Sequence, residues 1–519
     1  MIKRHTTFIF GVLSGYASQV ISIVIGIAAV PIGLGYFGPV RYGIWVVITS
    51  MLTYLNASQF GIGTATSTLI AKAPQRSEQR AILSYSFALL IISSLIFLLL
   101  ILFASKYSHS WLPIFGNIPS YLQDETIMAT LILAILFLIR LPTIPFASAF
   151  AGMQQLHYER LYSVILPALI NFIGLLVVVH LEGDFIMLAL LNGLGNILIG
   201  LVSATHIFML YKDLRPKWPK ELLSSPIAKQ IIVSGWRFFI VGLAAMIILN
   251  TDNLVISYFL GPVHVSSYAV TFKLFTVAYS IYVVINLTLW PMYGKAAGEN
   301  NWVWISSVYG YVTTVLPVLG GLVWIGGILF ARDVIRLWTG PAGYGGVLVV
   351  FALGGYGYTV SLNSCHAVLL GGINVVILWL GIFQAVLNLV LSLILVNPLG
   401  IGGVALGTFL AALLSDTWLT PLYVYSKTQG KVRIDWQPII RHALCAVGPF
   451  VAVALILNRY PMKWWLDISI KILIIILYLV ISWKMMPSNV IGRIKDFIAS
   501  RPLNNYAKLS TVLKKTDSI

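Results

Sequence analysis

Charged residues are scarce in this chain of 519 residues, and their scarcity excludes most kinds of soluble protein. Asp, Glu, Lys and Arg make up 9% of the residues and hydrophobic residues 59%, whereas a globular domain is about a quarter charged. The charge that is present is one-sided, with 33 basic against 16 acidic residues. Because the basic residues are dispersed among short loops, they do not indicate a nucleic-acid partner. The composition predicts a protein that crosses a membrane many times.

The chain also lacks the patterns that catalytic and metal sites need. Its two cysteines, Cys365 and Cys445, have neither disulfide nor metal-ligand spacing. The eight histidines are scattered, and no Gly-x-x-x-x-Gly-Lys-Ser/Thr loop is present to bind ATP. We therefore expect a protein that is not an enzyme and has no cofactor or metal, with H⁺ or Na⁺ as the coupling ion of any driven process.

Apolar runs long enough to cross a bilayer are abundant. A hydrocarbon core of about 30 Å needs roughly 20 apolar residues in a helix, and we predict an all-α protein with about fourteen such spans. The second is interrupted by Gln-Phe-Gly-Ile-Gly at 59–63, and the thirteenth is short, so an interfacial or re-entrant segment at either place would change the count. The spans are 8–32, 42–66, 84–105, 126–148, 161–181, 185–210, 233–260, 266–291, 304–330, 346–369, 375–396, 403–424, 443–458 and 466–483.

The basic residues predict the orientation of these spans. Most of them lie in the gaps after even-numbered spans and in the two termini. Since cytoplasmic loops hold the excess of Lys and Arg, both termini are expected in the cytoplasm. Lys3 and Arg4 precede the first apolar run as in a signal peptide, but the run is too long and lacks a cleavage site. We interpret it as the first retained span.

Two pieces of sequence recur about 220 residues apart. Tyr-Phe-Gly-Pro-Val at 36–40 returns at 258–263 as Tyr-Phe-Leu-Gly-Pro-Val, and the stretch from Asn171 to Gly183 returns as Asn388 to Gly400. Many secondary transporters are duplicated in this way, with the substrate held between the repeats near the bilayer midplane. The repeat therefore predicts a transporter.

The repeat also predicts the domain organisation. Six spans precede a basic, proline-containing linker and six follow it, so residues 1–216 and 217–426 should form two lobes related by a pseudo-twofold axis along the membrane normal. Residues 427–519 contain two additional spans and a basic tail. Apolar residues at helical spacing in 490–499 predict a helix on the membrane surface, although a solvated basic tail fits the same pattern.

Polar side chains recur at helical spacing in the first two spans, and each set falls on one helix face. Because such side chains in a membrane face the protein interior or a water-filled cavity, they are candidates for lining a cavity. Close helix packing through small residues explains them equally well. The six residues are Ser14, Ser18, Ser22, Thr49, Thr53 and Asn56.

Ionisable residues inside the spans are candidate functional residues, since an intramembrane charge is costly. Arg140 and Lys273 are candidate substrate-binding cations, and so is Arg237, although its place near the cytoplasmic boundary also fits snorkelling. Asp252 and Asp416 are candidate ion-coupling residues. Asp252 has a competing structural role, because it could form an ion pair with Lys273 on the next helix.

Three stretches resemble a known family. They are Tyr-Gly-Ile-Trp at 42–45 followed by 59–63, the run Asp-Asn-Leu-Val-Ile-Ser-Tyr-Phe-Leu-Gly at 252–261 followed by Tyr268, and Asn-Pro-Leu-Gly-Ile-Gly-Gly-Val-Ala at 397–405. Together they resemble the polysaccharide-transporter branch of the multidrug/oligosaccharidyl-lipid/polysaccharide (MOP) exporter superfamily. This resemblance covers nearly the whole chain in layout and implies a fold like that of the multidrug and toxic compound extrusion (MATE) transporters.

The resemblance implies a flippase of the bacterial inner membrane that acts as a monomer. Its cargo would be a polyprenyl-diphosphate-linked repeat unit of O-antigen, capsule or exopolysaccharide, moved to the external leaflet by alternating access. Cationic residues of a central cavity would bind the diphosphate, while the polyprenyl tail stays among the membrane lipids. A polysaccharide polymerase and chain-length machinery are the implied protein partners.

Three other functions remain open. A lipid II flippase of the same superfamily carries arginines in its first helix, whereas this chain has no Lys or Arg between His5 and Arg41. A multidrug exporter would favour acidic cavity residues over Arg140 and Lys273. A membrane glycan polymerase or ligase would need a sizeable external loop with catalytic residues, and the longest external gap, 106–125, contains few candidates.

Overall fold

The protein is a bundle of long helices. A computed structural model describes residues 2–219, 224–369, 375–460, 462–488 and 490–492, and this part of the chain contains no strand. Ten stretches are long and apolar enough to span a membrane, and two of them, Ser14–Gln59 and Trp379–Lys427, are long enough to cross it twice. With the further helices Pro262–Gly298 and Val347–Leu369, the described residues form fourteen membrane helices, which confirms the predicted number.

The first six helices form what we call the N-lobe. The continuous stretch Ile2–Leu55 is broken at Gly38, which separates α1 (2–37) from α2 (39–72); α2 contains the 3₁₀ turn Asn56–Gln59 and ends in Ile62–Lys72. The remaining helices are α3 (Arg76–Ser105), α4 (Ser120–Gly152), α5 (Leu156–His180) and α6 (Phe185–Leu210). Short helical turns at Ser108–Trp111 and Leu112–Phe115 connect α3 to α4.

The next six helices form the C-lobe. They are α7 (Pro226–Leu260), α8 (Pro262–Gly298), α9 (Trp302–Thr339), α10 (Val347–Leu369), α11 (375–399) and α12 (401–427). Gly400 breaks the stretch Val375–Leu414 between α11 and α12, and α12 resumes as Asp416–Lys427. Two appended helices follow, α13 (Trp436–Leu457) and α14 (Trp464–Met485). The predicted surface helix at 490–499 lies almost wholly outside the described residues.

The first sequence repeat is also a structural repeat. Gly38 ends α1 with φ 72° and Gly261 ends α7 with φ 89°, and in each case the next residue is the proline that opens the following helix. Glycine reaches this left-handed region without a steric penalty, and proline is preorganised for the first helical turn. The two lobes therefore begin with the same helix pair joined by the same turn.

The break predicted at 59–63 is present in α2. Phe60 and Gly61 both adopt positive φ, 47° and 66°, so the helix stops and restarts at Ile62. A Cβ atom at Gly61 would stand 2.3 Å from the carbonyl oxygen of Gly235 on α7. The break thus brings the α2 and α7 backbones into direct contact.

The two lobes also touch nearer the end of the bundle that is predicted to be external. A Cβ atom at Gly43 would lie 1.8 Å from the carbonyl oxygen of Pro262, which leaves room for hydrogen only. Midway along the seam, the Asn253 amide donates to Ser50 Oγ at 3.0 Å. Contacts of α2 with α7 and with the first residue of α8 therefore join the lobes at three levels, which we call the seam.

The appended helices are attached to the C-lobe. Lys471 of α14 is 8% exposed, and its ammonium lies 2.8 Å from the carboxylate of Asp333 on α9 and 2.7 Å from that of Asp467 on its own helix. The Tyr478 hydroxyl donates to Val318 O of α9 at 2.8 Å. These contacts fix α14 to α9.

Candidate functional site

The N-lobe encloses a cavity of about 390 Å³, which we call the lysine cavity. Its walls come from α1, α2, α5 and α6, and α8 of the other lobe contributes Ala269 and Lys273. Asn171 and Asn192 supply amides, while Tyr42 and Trp45 supply aromatic surface. The cavity therefore combines polar groups with one cation that reaches across the lobe interface.

Lys273 enters this cavity beside Gly26. A Cβ atom at Gly26 would stand 2.7 Å from the Lys273 ammonium nitrogen, so the missing side chain makes the space that the lysine occupies. Lys273 forms no ion pair with an acidic side chain in the part of the chain that the structure describes. An unpaired cation away from bulk water is destabilising unless water or an anionic ligand compensates it.

Arg140 lies further along α4, where it lines two smaller cavities. The bridging cavity, of about 90 Å³, shares Asn171 and Asn192 with the lysine cavity. The hydroxyl cavity, of about 250 Å³, shares Arg140 and Phe137 with the bridging cavity. Arg140 also has no acidic partner among the described residues. The two cations therefore line neighbouring cavities that share wall residues.

The hydroxyl cavity is the most polar of the three. Besides the Arg140 guanidinium it is lined by two amides and several hydroxyl groups, which are those of Asn56, Gln59, Thr143, Tyr162, Ser163 and Ser203. One of these hydroxyl groups already has a partner in the protein, because the Thr143 hydroxyl donates to the backbone oxygen of Arg140 at 2.7 Å. A guanidinium beside amides and hydroxyls can bind phosphate and sugar oxygens.

The six polar residues predicted in the first two spans separate into two groups. Ser22, Thr49 and Asn56 line the three cavities. Ser18 is buried and donates to Gly15 O, and Thr53 donates to Thr49 O. Ser14, one turn before Ser18, is half-buried and does not line these cavities. Some of the six polar residues therefore line cavities, and others form hydrogen bonds within their own helix.

Asp252 lies in a separate, buried cluster inside the C-lobe. One carboxylate oxygen, Oδ2, accepts hydrogen bonds from the Tyr268 hydroxyl and from Thr408 Oγ1, the latter at 2.8 Å. Asn388 Nδ2 donates to Thr408 Oγ1 at 2.8 Å. The hydroxyls of Thr408 and Ser392 approach Val404 O at 3.3 and 3.4 Å. We call these six residues the Asp252 cluster.

Two oxygen atoms of this cluster are buried without a hydrogen-bond partner. They are Asp252 Oδ1 and Asn388 Oδ1. Buried acceptors are normally satisfied, and a carboxylate, an amide, hydroxyls and a carbonyl are the oxygen ligands that hard cations prefer. The cluster has the chemistry to hold a proton or a small monovalent cation.

The structure differs from the predicted pairing of Asp252 with Lys273. The carboxylate of Asp252 is directed to Tyr268 and Thr408, while Lys273 lies beside Gly26 in the lysine cavity. The ion pair was one of two alternatives left open by the sequence, because spacing places the two residues on adjacent helices but does not give the helix face that each side chain occupies. Both residues belong to the C-lobe, but Asp252 is directed into that lobe, whereas Lys273 reaches the cavity lined mainly by the N-lobe.

The other two ionisable candidates lie apart from these sites. Asp416 begins the last part of α12, where it accepts a hydrogen bond from Thr420 and is only partly exposed. Arg237 is exposed on α7 and does not line the three cavities. Its position agrees with the snorkelling alternative.

Several site residues were not predicted as such. Asn171 and Asn388 were noted only as matching positions of the repeat, yet Asn171 lines the lysine cavity and Asn388 joins the Asp252 cluster. Their equivalence was the available signal, since a membrane-embedded amide kept in both copies needs a polar partner. Tyr268 was noted only as part of the resemblance that includes 252–261, and Thr408 gave no comparable signal because hydroxyl groups are common in membrane helices.

Comparison with known proteins adds an independent observation to this geometry. The family described as "Polysaccharide biosynthesis protein" matches residues 9–297, more than half of the chain. The chain belongs to this family. It is also 26% identical to a protein of Salmonella typhimurium named "Putative O-antigen transporter", over 80% of this chain and 96% of that one. A Yersinia pseudotuberculosis protein named "Putative O-antigen export protein" is 23% identical over 80% of this chain and 96% of its own length.

Solved structures show the same fold at lower identity. An inward-facing multidrug resistance MATE family transporter of the MOP superfamily superposes with a TM-score of 0.66 and 18% identity, covering 79% of this chain and 96% of that one. The lipid II flippase MurJ in an inward closed conformation gives a TM-score of 0.64 and 15% identity, covering 90% and 98%. The chain is a multi-pass membrane protein with a MATE-like fold, as the sequence predicted.

Proposed function

We propose that this protein flips polyprenyl-diphosphate-linked oligosaccharide repeat units from the cytoplasmic to the external leaflet of the bacterial inner membrane. The observation that carries the proposal is the pair of cations, Arg140 and Lys273, which line neighbouring cavities and have no acidic partner among the described residues. Membership of the polysaccharide biosynthesis family and the O-antigen names of the relatives support the same cargo class.

The chemistry of the two cations suits a diphosphate. The planar guanidinium of Arg140 can donate two parallel hydrogen bonds to phosphate oxygens, and the ammonium of Lys273 supplies a point charge. The amides and hydroxyls between and below them offer donors and acceptors for sugar hydroxyls. A cationic drug would instead meet repulsion in these cavities, which is why we favour an anionic cargo over a multidrug role.

Alternating access would follow from rotation of the lobes about the seam between them. Lys273 belongs to the C-lobe and the other walls of the lysine cavity belong to the N-lobe, so rotation changes the distance between Lys273 and the N-lobe polar groups. A diphosphate held between the lobes would be released when this distance increases. Both termini would remain cytoplasmic, with a polymerase and chain-length machinery as the proteins that receive the external product.

The Asp252 cluster is the proposed site of ion coupling. Na⁺ or H⁺ would bind at Asp252 Oδ1 and Asn388 Oδ1, two buried oxygens that have no hydrogen-bond partner among the described residues. Binding there would neutralise a buried carboxylate, whose charge is otherwise destabilising in a low-dielectric interior. The bound and unbound forms would then favour different packings of α7 against α11 and α12.

The proposal is tested with the purified full chain in liposomes that contain a fluorescent polyprenyl-diphosphate oligosaccharide. Chemical quenching from outside measures translocation with an imposed Na⁺ gradient, with an imposed H⁺ gradient and with no gradient. We expect accelerated exposure of the fluorescent lipid, with one of the two gradients increasing the rate. Transport of small organic cations without movement of any glycolipid would overturn the proposal in favour of a multidrug exporter.

A further inference from the structure

An apolar groove of about 280 Å³ lies on the other side of α2 and α4 from the bridging cavity. Aliphatic residues of α2 between Ile48 and Leu55 form one wall, Ile101 and Ala104 of α3 form a second, and residues 130–134 of α4 form the third. Trp111 closes one end. The polar side chain Thr130 donates to Thr126 O at 2.7 Å, so the groove presents hydrocarbon almost exclusively.

This groove adjoins the site of Arg140. Leu52 of α2 and Leu133 of α4 line both the apolar groove and the bridging cavity. Arg140 lies seven residues after Leu133 on α4, about two helical turns away, and lines the bridging cavity itself. Two leucine side chains therefore separate a hydrocarbon-lined space from a cavity that contains a cation.

The groove has a shape and position that membrane lipids alone do not explain. Lipid tails are about as apolar as leucine, so burying a chain here gains little from the hydrophobic effect. What the groove adds is dispersion contact on several sides and a fixed position relative to Arg140. A hydrocarbon chain whose headgroup is bound at Arg140 would gain these dispersion contacts and would be held next to the groove. The bound headgroup raises the effective concentration of the chain at the groove.

We propose that this groove holds the first isoprene units of the substrate whose diphosphate is bound at Arg140. The isoprenoid chain passes between Leu52 and Leu133, whose side chains change rotamer to admit it, and the remainder extends into the bilayer. The inference rests on the proposed function and adds a tail-binding site within the N-lobe, where sequence analysis left the whole tail among the lipids.

Photolabelling of the unmodified full chain tests the site without any substitution. A polyprenyl-diphosphate oligosaccharide with a diazirine in its second isoprene unit is incorporated into liposomes with the protein, irradiated, and mapped by mass spectrometry. We expect labels within 48–55, 101–111 and 130–134, and we expect unlabelled glycolipid to displace them. Labels confined to other helices would overturn the inference.

A second probe distinguishes the substrate from ordinary lipid. A phospholipid with a diazirine in its acyl chain should label the groove only while the glycolipid is absent. If the phospholipid labels it equally and excess glycolipid does not displace it, the groove is a general lipid site and the inference is wrong. Wild-type translocation is measured in the same liposomes, so loss of the proposed function, meaning no flipping at all, is separable from loss of the tail site alone.

A matched pair of variants gives the functional readout. Ala134→Phe fills the groove and should reduce translocation roughly tenfold, because the phenyl ring excludes the isoprene chain and its contacts with the groove walls are lost. Leu99→Phe enlarges a residue of α3 that is 67% exposed and should leave the rate unchanged. Equal rates for both variants, with Ala134→Phe folded as judged by its melting temperature, would also overturn the inference.

Discussion

The ammonium group of Lys273 lies against the backbone of Gly26, at a distance that leaves no room for a methyl group on the glycine. This contact joins α8 of one lobe to α1 of the other. Because Gly26 has no side chain, the ammonium group of Lys273 from the opposite lobe can occupy this position.

The first prediction concerns that glycine. Gly26→Ala would place Cβ 2.7 Å from the Lys273 nitrogen, so the lysine must move and substrate affinity should fall roughly tenfold, the scale of one charge-assisted hydrogen bond of about 1.5–3 kcal/mol. Gly15→Ala on the same helix is the control, because nothing lies within 4 Å of its Cβ position. Binding is measured with a fluorescent polyprenyl-diphosphate glycan. Equal affinity of the two variants would contradict the placement of Lys273.

The second prediction compares two arginines. Arg140→Gln removes the guanidinium from the bridging and hydroxyl cavities, and we expect translocation to fall by roughly a factor of ten or more, because the charge-assisted bonds are lost. Arg140→Lys should recover only part of the rate, since an ammonium cannot donate in a planar fork. Arg237→Gln, at an exposed position, should retain the wild-type rate. A wild-type rate for Arg140→Gln would exclude Arg140 from substrate binding.

The third prediction separates transport from ion coupling. Asp252→Asn keeps the shape of the side chain but removes its charge, so the rate should no longer depend on the imposed Na⁺ or H⁺ gradient. Tyr268→Phe removes one hydrogen bond to the carboxylate and keeps the charge, so gradient dependence should persist. Translocation is measured with each gradient and without one. Undiminished gradient dependence in Asp252→Asn would place the coupling site elsewhere.

The fourth prediction concerns closure at the predicted external end. Gly43→Ala would bring Cβ to 1.8 Å from the carbonyl oxygen of Pro262, so the lobes cannot approach as they do here. We expect a population shifted toward an outward-open state, measured as increased labelling of a cysteine introduced into the lysine cavity by an external reagent. Gly35→Ala, with nothing within 4 Å of its Cβ position, should match the wild type. Unchanged labelling in Gly43→Ala would show that this contact does not control access.

The fifth prediction concerns the appended helices. Lys471→Met removes an ammonium group that is only 11% exposed and bridges Asp333 and Asp467, which are 56% and 26% exposed, so α14 loses its polar attachment to α9 and the melting temperature in detergent should fall. Lys295→Met removes a cation that is 79% exposed and lies 3.9 Å from Glu299, and exposed pairs contribute little. Equal melting temperatures would contradict the attachment of α14 through Lys471.

Sequence patterns were sufficient for the helices because each span must satisfy its own backbone hydrogen bonds in lipid. The apolar runs therefore located all fourteen helices, and the glycine pair at 61 and 63 marked the break in α2. The same patterns did not predict the side-chain contacts between helices. Spacing placed Asp252 and Lys273 on neighbouring helices, but the rotation of α7 and α8 about their axes sends one side chain into the C-lobe and the other to α1.

Local sequence patterns also did not predict the cavities. Arg140 was identifiable as an unusual membrane arginine, whereas its position between a polar and an apolar space depends on α2, α4, α5 and α6 together. No local pattern contains that information. The repeat came closest, because, of the matching residues, Asn171 lines the lysine cavity and Asn388 belongs to the Asp252 cluster.

In the proposed mechanism, attachment of α14 through Lys471 makes the two moving bodies unequal. The C-lobe carries eight helices with the appended pair, and the N-lobe carries six. In a viscous bilayer the body with the smaller lipid-facing perimeter experiences less drag and makes the larger excursion in the membrane frame. The cavities that contain Arg140 would therefore travel, while the Asp252 cluster would stay nearly stationary, so the ion would enter and leave at an almost constant depth as the glycolipid site tilts past it.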